Sequence, residues 1–274
     1  MMLRISQNTI TKDARRFGIA GMSAHRKIGY LVDLDGTLMS GAKALPGAVQ
    51  LIERLERRFV IVSNDAEHTP AQLSRRLRAA KLMVPEERIV LAGTTTLDCI
   101  MKEEPEARVM LIGSVALNRY ARGIGLRLSE GRPDIVVLAR DQRFTYGRLA
   151  KAANAIRAGA RLIVSNPDHT HPGLAGEIVP ETGALLSALL ACTGPLSYRV
   201  IGKPEPTLFL KGLDLLGIAS DQGVVIGDNP DTDGAGARRM GLRFVRVHPG
   251  AMLGVDDIDG YREITPQQAM QAAI

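Results

Sequence analysis

Apolar and polar positions fall along the chain in blocks. Short runs rich in Val, Ile and Leu recur at IGYLVDLD (28–35), RFVIVSND (58–65), ARVMLIG (107–113), DIVVLAR (134–140), ARLIVSN (160–166), GVVIGDN (223–229) and LRFVRVH (242–248). Longer stretches lie among them: PGAVQLIERLERR (46–58), TPAQLSRRLRAAKL (69–82), YGRLAKAANAIRAGA (146–160) and PTLFLKGLDLLGI (206–218). Their apolar residues return every three or four positions. The first pattern predicts strands buried on both faces and the second predicts amphipathic helices. Their alternation predicts an α/β fold, a parallel sheet covered by helices on both faces.

Several predicted strands end in a polar cluster: D-x-D at 33–35, S-N-D at 63–65, S-N-P-D at 165–168 and G-D-N-P-D-T-D at 227–233. Ligands of open α/β sheets sit beyond the carboxyl ends of the strands, so residues distant in sequence meet there. Asp33 and Asp35, with Asp228 and Asp233, would gather negative charge that only a cation offsets. Oxygen donors alone select a hard ion, and Mg²⁺ pairs one or two carboxylates with a substrate phosphate. Lys203 adds a positive charge, while Ser63 and Asn64 add neutral donors for phosphate oxygens. In that setting Asp33 can attack phosphorus and Asp35 can shuttle protons.

Other signatures fail on particular residues. GAGARR (234–239) carries Arg239 where a dinucleotide fingerprint needs Gly. Gly202-Lys203 has Ser197 in place of the upstream Gly of a P-loop. DNPDTDG has Pro230 where an EF-hand needs its second ligand.

Composition narrows the reading further. The 274 residues are 45% hydrophobic and 23% charged, without Trp. No apolar run approaches the ~20 residues of a membrane span. Of the net charge of +6, residues 1–27 supply most, with Arg4, Lys12, Arg15, Arg16, Arg26 and Lys27 against Asp13 alone. With aromatics at 4%, the chain offers few platforms for base stacking, so neither nucleic acid nor membrane is an expected partner. Cys99 and Cys192 have no CxxC spacing and read as buried, reduced residues of a cytoplasmic protein.

LVDLDGTL, VIVSN, IGKPEPTLF and VVIGDNPDTDGAGARRMGL, in this order, resemble the four motifs of haloacid dehalogenase (HAD) superfamily phosphohydrolases. The resemblance runs over roughly residues 28–250 and implies a Rossmann-like core. It makes Asp33 the nucleophile and a metal ligand, and Asp35 the acid/base that also binds metal through its backbone carbonyl. Asp228 becomes the second carboxylate ligand, Asp233 its support through water, and Ser63, Asn64 and Lys203 the phosphate holders. Ser63 and Lys203 are 140 residues apart, which implies an inserted α/β cap. The cap resembles that of NagD-like phosphatases, a branch that includes p-nitrophenyl, pyridoxal and phosphoglycolate phosphatases.

The division implied is an extension over 1–27, a core of 28–104 and 193–274, and a cap over 105–192, with a homodimer built through the cap. Asn166, Asp168, His169 and His171 of the cap loop 165–173 become the readers of substrate specificity. The family's usual Asn is replaced by Asp65, expected to face away from phosphate or to cap the helix at 69–82. The expected activity is Mg²⁺-dependent hydrolysis of a small phosphorylated metabolite through an aspartyl-phosphate. A phosphotransferase using the same intermediate, or a phosphate-binding protein of weak turnover, stays open.

Overall fold

The computed structural model describes residues 28–172 and 177–247; the basic extension 1–27, the end of the loop at 173 and residues 248–274 lie outside them. Every apolar run named above forms a strand. In chain order the elements are β1 (Gly29–Val32), β2 (Met39–Ser40), β3 (Lys43–Ala44), α1 (Ala48–Leu55), β4 (Phe59–Ser63), α2 (Pro70–Ala79), β5 (Ile89–Leu91) and α3 (Ala92–Glu103). There follow β6 (Arg108–Ile112), α4 (Val115–Gly123), β7 (Arg127–Leu128), β8 (Ile135–Leu138), α5 (Tyr146–Arg157), β9 (Arg161–Val164), β10 (Thr170–Pro172), β11 (Ile178–Pro180) and α6 (Thr182–Thr193). The chain then runs through β12 (Tyr198–Val200), α7 (Pro206–Leu216), β13 (Gly223–Gly227), α8 (Ala235–Met240) and β14 (Arg243–Arg246).

Two parallel five-stranded sheets result. The first has the order β14-β13-β1-β4-β5 and the second β12-β9-β8-β6-β7. All of the second sheet is inserted between β5 and β13. It extends past residue 192, where the insertion was expected to end: Tyr198–Val200 pairs with Leu162–Val164. A run of only three residues, two of them Tyr and Arg, carries too little apolar signal to be seen in the sequence.

Successive residues of a strand face opposite sides, and here each side has its own core. Tyr30, Val32, Phe59 and Ile61 pack outward with Leu51 and Leu55 of α1 and Leu73 and Leu77 of α2. Val136, Leu138, Leu162 and Val164 pack against Ala152, Ala153, Leu186 and Leu189 of α5 and α6. The inward residues of both sheets, among them Leu31, Val62, Val109, Leu111 and Val137, share a third cluster with α3, α4, α7 and α8. Each fully buried Val, Leu or Ile contributes about 1.5–3 kcal/mol, so this shared layer fixes one sheet firmly to the other. Cys192 departs from expectation: Leu186 and Leu189 take the buried face of α6, and Cys192 in the last turn is exposed. Among the described residues, no helix is long and apolar enough to cross a membrane.

Candidate active site

β1 delivers Asp33 at its carboxyl end, where Asp33 N donates to Ile226 O of the neighbouring strand at 2.8 Å. The chain then turns at Gly36, which has φ +84°, and Thr37 Oγ1 donates back to Asp33 Oδ2 at 3.1 Å. β13 delivers Asp228 beside it. A Cβ on Gly36 would stand 2.1 Å from Asp228 Oδ2, so only glycine lets the two strand ends close up. A wide turn over Pro230–Gly234, its first N–H groups held by Asn229, returns Asp233 to the same place.

Oxygens of Asp33, Asp228 and Asp233 lie within 4.8 Å of one another. Lys203 enters from the loop before α7. Its Nζ donates to Asp33 Oδ1 at 2.6 Å, Asp233 Oδ1 at 2.7 Å and Val62 O at 3.0 Å, which uses all three ammonium protons. Asp33, Lys203 and Asp233 are all buried. Burial alone would favour loss of the lysine proton, but Asp233 and Asp33 more than offset it and hold the ammonium above its usual range.

Burial, followed by the charge of Asp33, pushes Asp228 up to about 6 and Asp233 up to about 7. Three carboxylates against one ammonium leave two surplus negative charges, the charge a divalent cation offsets. The donors are all oxygen, so the residues fit a hard ion such as Mg²⁺ or Ca²⁺. The side chain of Asp35 is outside this triad and opens toward solvent. Protein atoms crowded around it, then the charges of Asp33 and Asp65, raise its carboxyl to about 7. Water at its open edge moderates that rise, but its direction suits a group that must give up a proton near neutral pH.

Ser63, at the end of β4, is buried with its Oγ accepting from Asp65 N at 3.0 Å. Asn64, expected to donate to phosphate, uses its amide within the protein here. Nδ2 donates to Asp168 Oδ2 at 3.0 Å and Lys203 O at 3.1 Å, while Oδ1 accepts from Lys203 N at 2.7 Å. Asn64 is thus a clamp that aims Lys203 and ties it to the second sheet. Two surface hollows, of about 580 and 890 Å³, are lined by none of these residues.

Residues 30–127 match the family described as haloacid dehalogenase-like hydrolase, and residues 200–264 match a second one, HAD-hydrolase-like. The chain is 34% identical over 226 residues to dihydroxyacetone phosphatase of Corynebacterium glutamicum, covering 81% of this chain and 82% of that protein. It is 33% identical over 241 residues to an acid sugar phosphatase of Staphylococcus epidermidis, covering 86% and 92%. The chain belongs to the haloacid dehalogenase-like hydrolases. Its fold superposes on NagD from E. coli K-12 with a TM-score of 0.74 at 26% identity, over 87% of this chain and 93% of that one. Within the haloacid dehalogenase-like hydrolases it is a NagD-like phosphatase.

In this phosphatase the carboxyl ends of both sheets converge on the loop after β4. Asn166 is buried, its Nδ2 donating to Asn64 O at 2.7 Å and Thr182 Oγ1 at 3.3 Å, its Oδ1 accepting from Asp168 N at 3.1 Å. With those bonds made internally, Asn166 shapes the loop. Asp168 faces the acidic centre through Asn64, and burial raises its carboxyl. His169 is exposed. His171, on the two-stranded ribbon of β10 and β11, is half-buried and pairs through Nδ1 with Glu181 Oε1 at 2.7 Å. Burial and then Arg140 hold its pKa below the usual histidine value.

Asp65 does not cap the following helix. Thr69 does, in a reciprocal capping box with Gln72. Asp65 Oδ1 instead accepts from Glu67 N and His68 N, each at 2.8 Å, and Oδ2 meets His68 Nδ1 at 2.8 Å. Sequence reasoning also missed Thr37, visible only as the Thr of DGT, and the pair Glu67–Arg140, which has no local signal.

Proposed function

We propose that this phosphatase hydrolyses a small phosphorylated sugar or triose, with Mg²⁺, through an aspartyl-phosphate formed on Asp33. The observation that carries the proposal is the cluster of Asp33, Asp228 and Asp233 around Lys203, with Asp35 as a raised acid at its edge. The substrate class follows the names of the two relatives, one a dihydroxyacetone phosphatase and the other an acid sugar phosphatase.

Asp33 attacks phosphorus as the ester P–O bond breaks, and Asp35 gives its proton to the departing oxygen. Asp35, now a carboxylate, takes a proton from the water that cleaves the acyl phosphate. Inorganic phosphate leaves and Asp33 is restored. Thr37 holds the nucleophile in line, while Lys203 and Ser63 face the transferred phosphoryl group. Asp33, Asp228 and Asp233, with the backbone carbonyl of Asp35, would hold Mg²⁺, whose charge lets a phosphate dianion approach the acids.

We assign residues 28–104 and 201–247 to the catalytic unit, and 105–200 to a cap that shields the intermediate from bulk water. A homodimer through the cap and a cytoplasmic setting complete the proposal. Turnover of phenyl phosphate and of a panel of sugar and triose phosphates, with and without EDTA, tests it. Loss of turnover in EDTA, regained with Mg²⁺, is expected; turnover indifferent to EDTA overturns the metal-dependent scheme. Sedimentation of the purified chain checks the dimer.

A further inference from the structure

Arg140 stands two residues beyond β8, where the second sheet meets the loop after β4. Its aim is set from behind. Asp141 is buried, accepts from Arg143 N at 2.9 Å and pairs with Arg148 of α5. With Asp141 anchored to α5, the preceding side chain is left to face the first sheet. There Arg140 Nη1 meets Glu67 Oε2 at 2.9 Å, and Gln142 Nε2 donates to Glu67 Oε1 at 2.7 Å.

One guanidinium donor is left over. Arg140 Nε is buried without a hydrogen bond, 3.4 Å from Glu181 Oε1, which is engaged by His171. A buried donor without an acceptor is costly and is ordinarily satisfied by water or ligand. A relay of contacts links Arg140 to the acidic centre. Glu181 N donates to His169 O at 2.9 Å, in the same loop whose Asp168 holds Asn64, and Asn64 holds Lys203.

The charges here are lopsided. Glu67 offsets Arg140 fully and Glu181 in part, since burial raises Glu181 to about 7. Asp168 adds a further acid on the same side. His171, held below its ordinary pKa, adds no compensating charge at neutral pH. A guanidinium offset in this way can still donate to a neutral oxygen but gains little from a second anion, which the surrounding acids repel.

Building on the phosphatase reading, we propose that Arg140 is a specificity-determining residue that donates to an uncharged oxygen of the group esterified to phosphate. Glu67 and Glu181 make the same position unfavourable for a substrate carrying a second anionic group. Substrates with a carbonyl or hydroxyl are therefore preferred over those with a carboxylate. A site built to hydrogen-bond a substrate group discriminates strongly against analogues that lack it.

The test compares kcat/KM of the full chain at saturating Mg²⁺ for dihydroxyacetone phosphate, phosphoglycolate and phenyl phosphate. Phenyl phosphate has the ester but no acceptor on its ring. Arg140→Met is expected to lower kcat/KM for dihydroxyacetone phosphate about tenfold more than for phenyl phosphate, chiefly through KM. Arg140→Lys, which keeps the charge, is expected to recover part of the loss. Glu67→Gln is expected to raise the ratio of phosphoglycolate to dihydroxyacetone phosphate about tenfold, by removing one repelling charge. Equal losses on all three substrates in Arg140→Met, or an unchanged ratio in Glu67→Gln, would overturn the proposal and leave the phosphatase reading intact. Failure of the unaltered chain to turn over any of the three would remove that reading, and this inference with it.

Discussion

The carboxyl ends of the two sheets face one another, yet they use polar residues differently. At the end of the first sheet, Asp33, Asp228, Asp233 and Lys203 are packed so closely that each depends on the charge of the others. At the end of the second, Asn166 and Asp168 spend their bonds on neighbouring backbone and on Asn64, and Arg140 is matched by carboxylates. The first arrangement stores unbalanced charge, which chemistry on phosphate can use. The second commits its polar groups largely to one another, which suits it to hold and to aim. Two parallel five-stranded sheets of different strand order thus differ in how completely their polar ends are satisfied.

The sharpest way to break this contrast is at Asp33. Asp33→Asn keeps the shape and the bond from Thr37 but removes the carboxylate proposed to attack phosphorus, so kcat is expected to fall about 10⁴-fold or more. Asp168→Asn, across the crevice, is expected to act mainly on KM, by about tenfold. Steady-state kinetics on phenyl phosphate separates the two. A loss of kcat in Asp168→Asn as deep as in Asp33→Asn would erase the division of labour.

Next in size comes the spacing of the acids. Gly36→Ala would drive a methyl group to 2.1 Å from Asp228 Oδ2 at a left-handed backbone position. A displacement on the order of 1 Å costs about 10² in rate, and cation affinity should fall with it. Gly41→Ala is the matched control: φ is +58°, nothing lies within 4 Å, and only about 1 kcal/mol of backbone cost is expected. Calorimetric titration with Mg²⁺ and thermal melts distinguish the pair. Unaltered Mg²⁺ binding in Gly36→Ala would mean that Asp228 is not where the ion is held.

The same contrast explains what could be read from the sequence. Strands buried on both faces leave unbroken Val, Ile and Leu runs, and acids at the ends of β1 and β13 have few structural excuses, so Asp33, Lys203 and Asp228 stood out. α3 did not, because it opens on Ala-Gly-Thr-Thr-Thr, buried residues without apolar contrast, one of which bonds its own helix through Thr96 Oγ1 and Ala92 O. α6 is apolar on nearly every side and shows no period. The clamp made by Asn64 was not legible, because its amide partners lie 104 and 139 residues away. Glu67 and Arg140 likewise meet only after both sheets have formed. Residues of the charged cluster were legible from type and position, and those that aim them only from the fold.

A smaller effect follows from the raised acids. Asp35, Asp228 and Asp233 are all pushed up in the folded chain, by burial first and by Asp33 next. The folded state therefore binds more protons than the unfolded one between about pH 4 and 7. Without metal, stability should fall as pH rises through that window. A divalent cation at 100 times its Kd restores about 2.7 kcal/mol. Thermal melts at pH 5 and pH 8 check this, since the gap between Mg²⁺ and EDTA should widen with pH. A gap of the same size at both would argue that these acids do not hold the ion.

The smallest expected effect lies at Asp65, on the loop where the two sheet ends meet. Its carboxylate takes three hydrogen bonds, two from backbone N–H groups and one with the ring of His68. Burial is the largest single influence and would raise Asp65, but the bond and charge of His68 together with the backbone N–H groups of His68 and Glu67 outweigh it and lower its pKa, while His68 is raised in return. Asp65→Asn keeps an acceptor for the backbone groups and loses the ionic part of the bond to His68. The loss should be about 1 kcal/mol. Asp65 contributes stability above its unfolded pKa of ~3.9, and His68 contributes below its folded pKa, which lies above ~6.5. The penalty should therefore be greatest near pH 5–6 and shrink by pH 9. Urea denaturation of both proteins at these pH values decides the matter: a penalty that does not vary with pH would make Asp65 a loop-shaping acceptor only. It would also place the Asp65–His68 pair with the positioning residues of the second sheet rather than with the charged centre of the first.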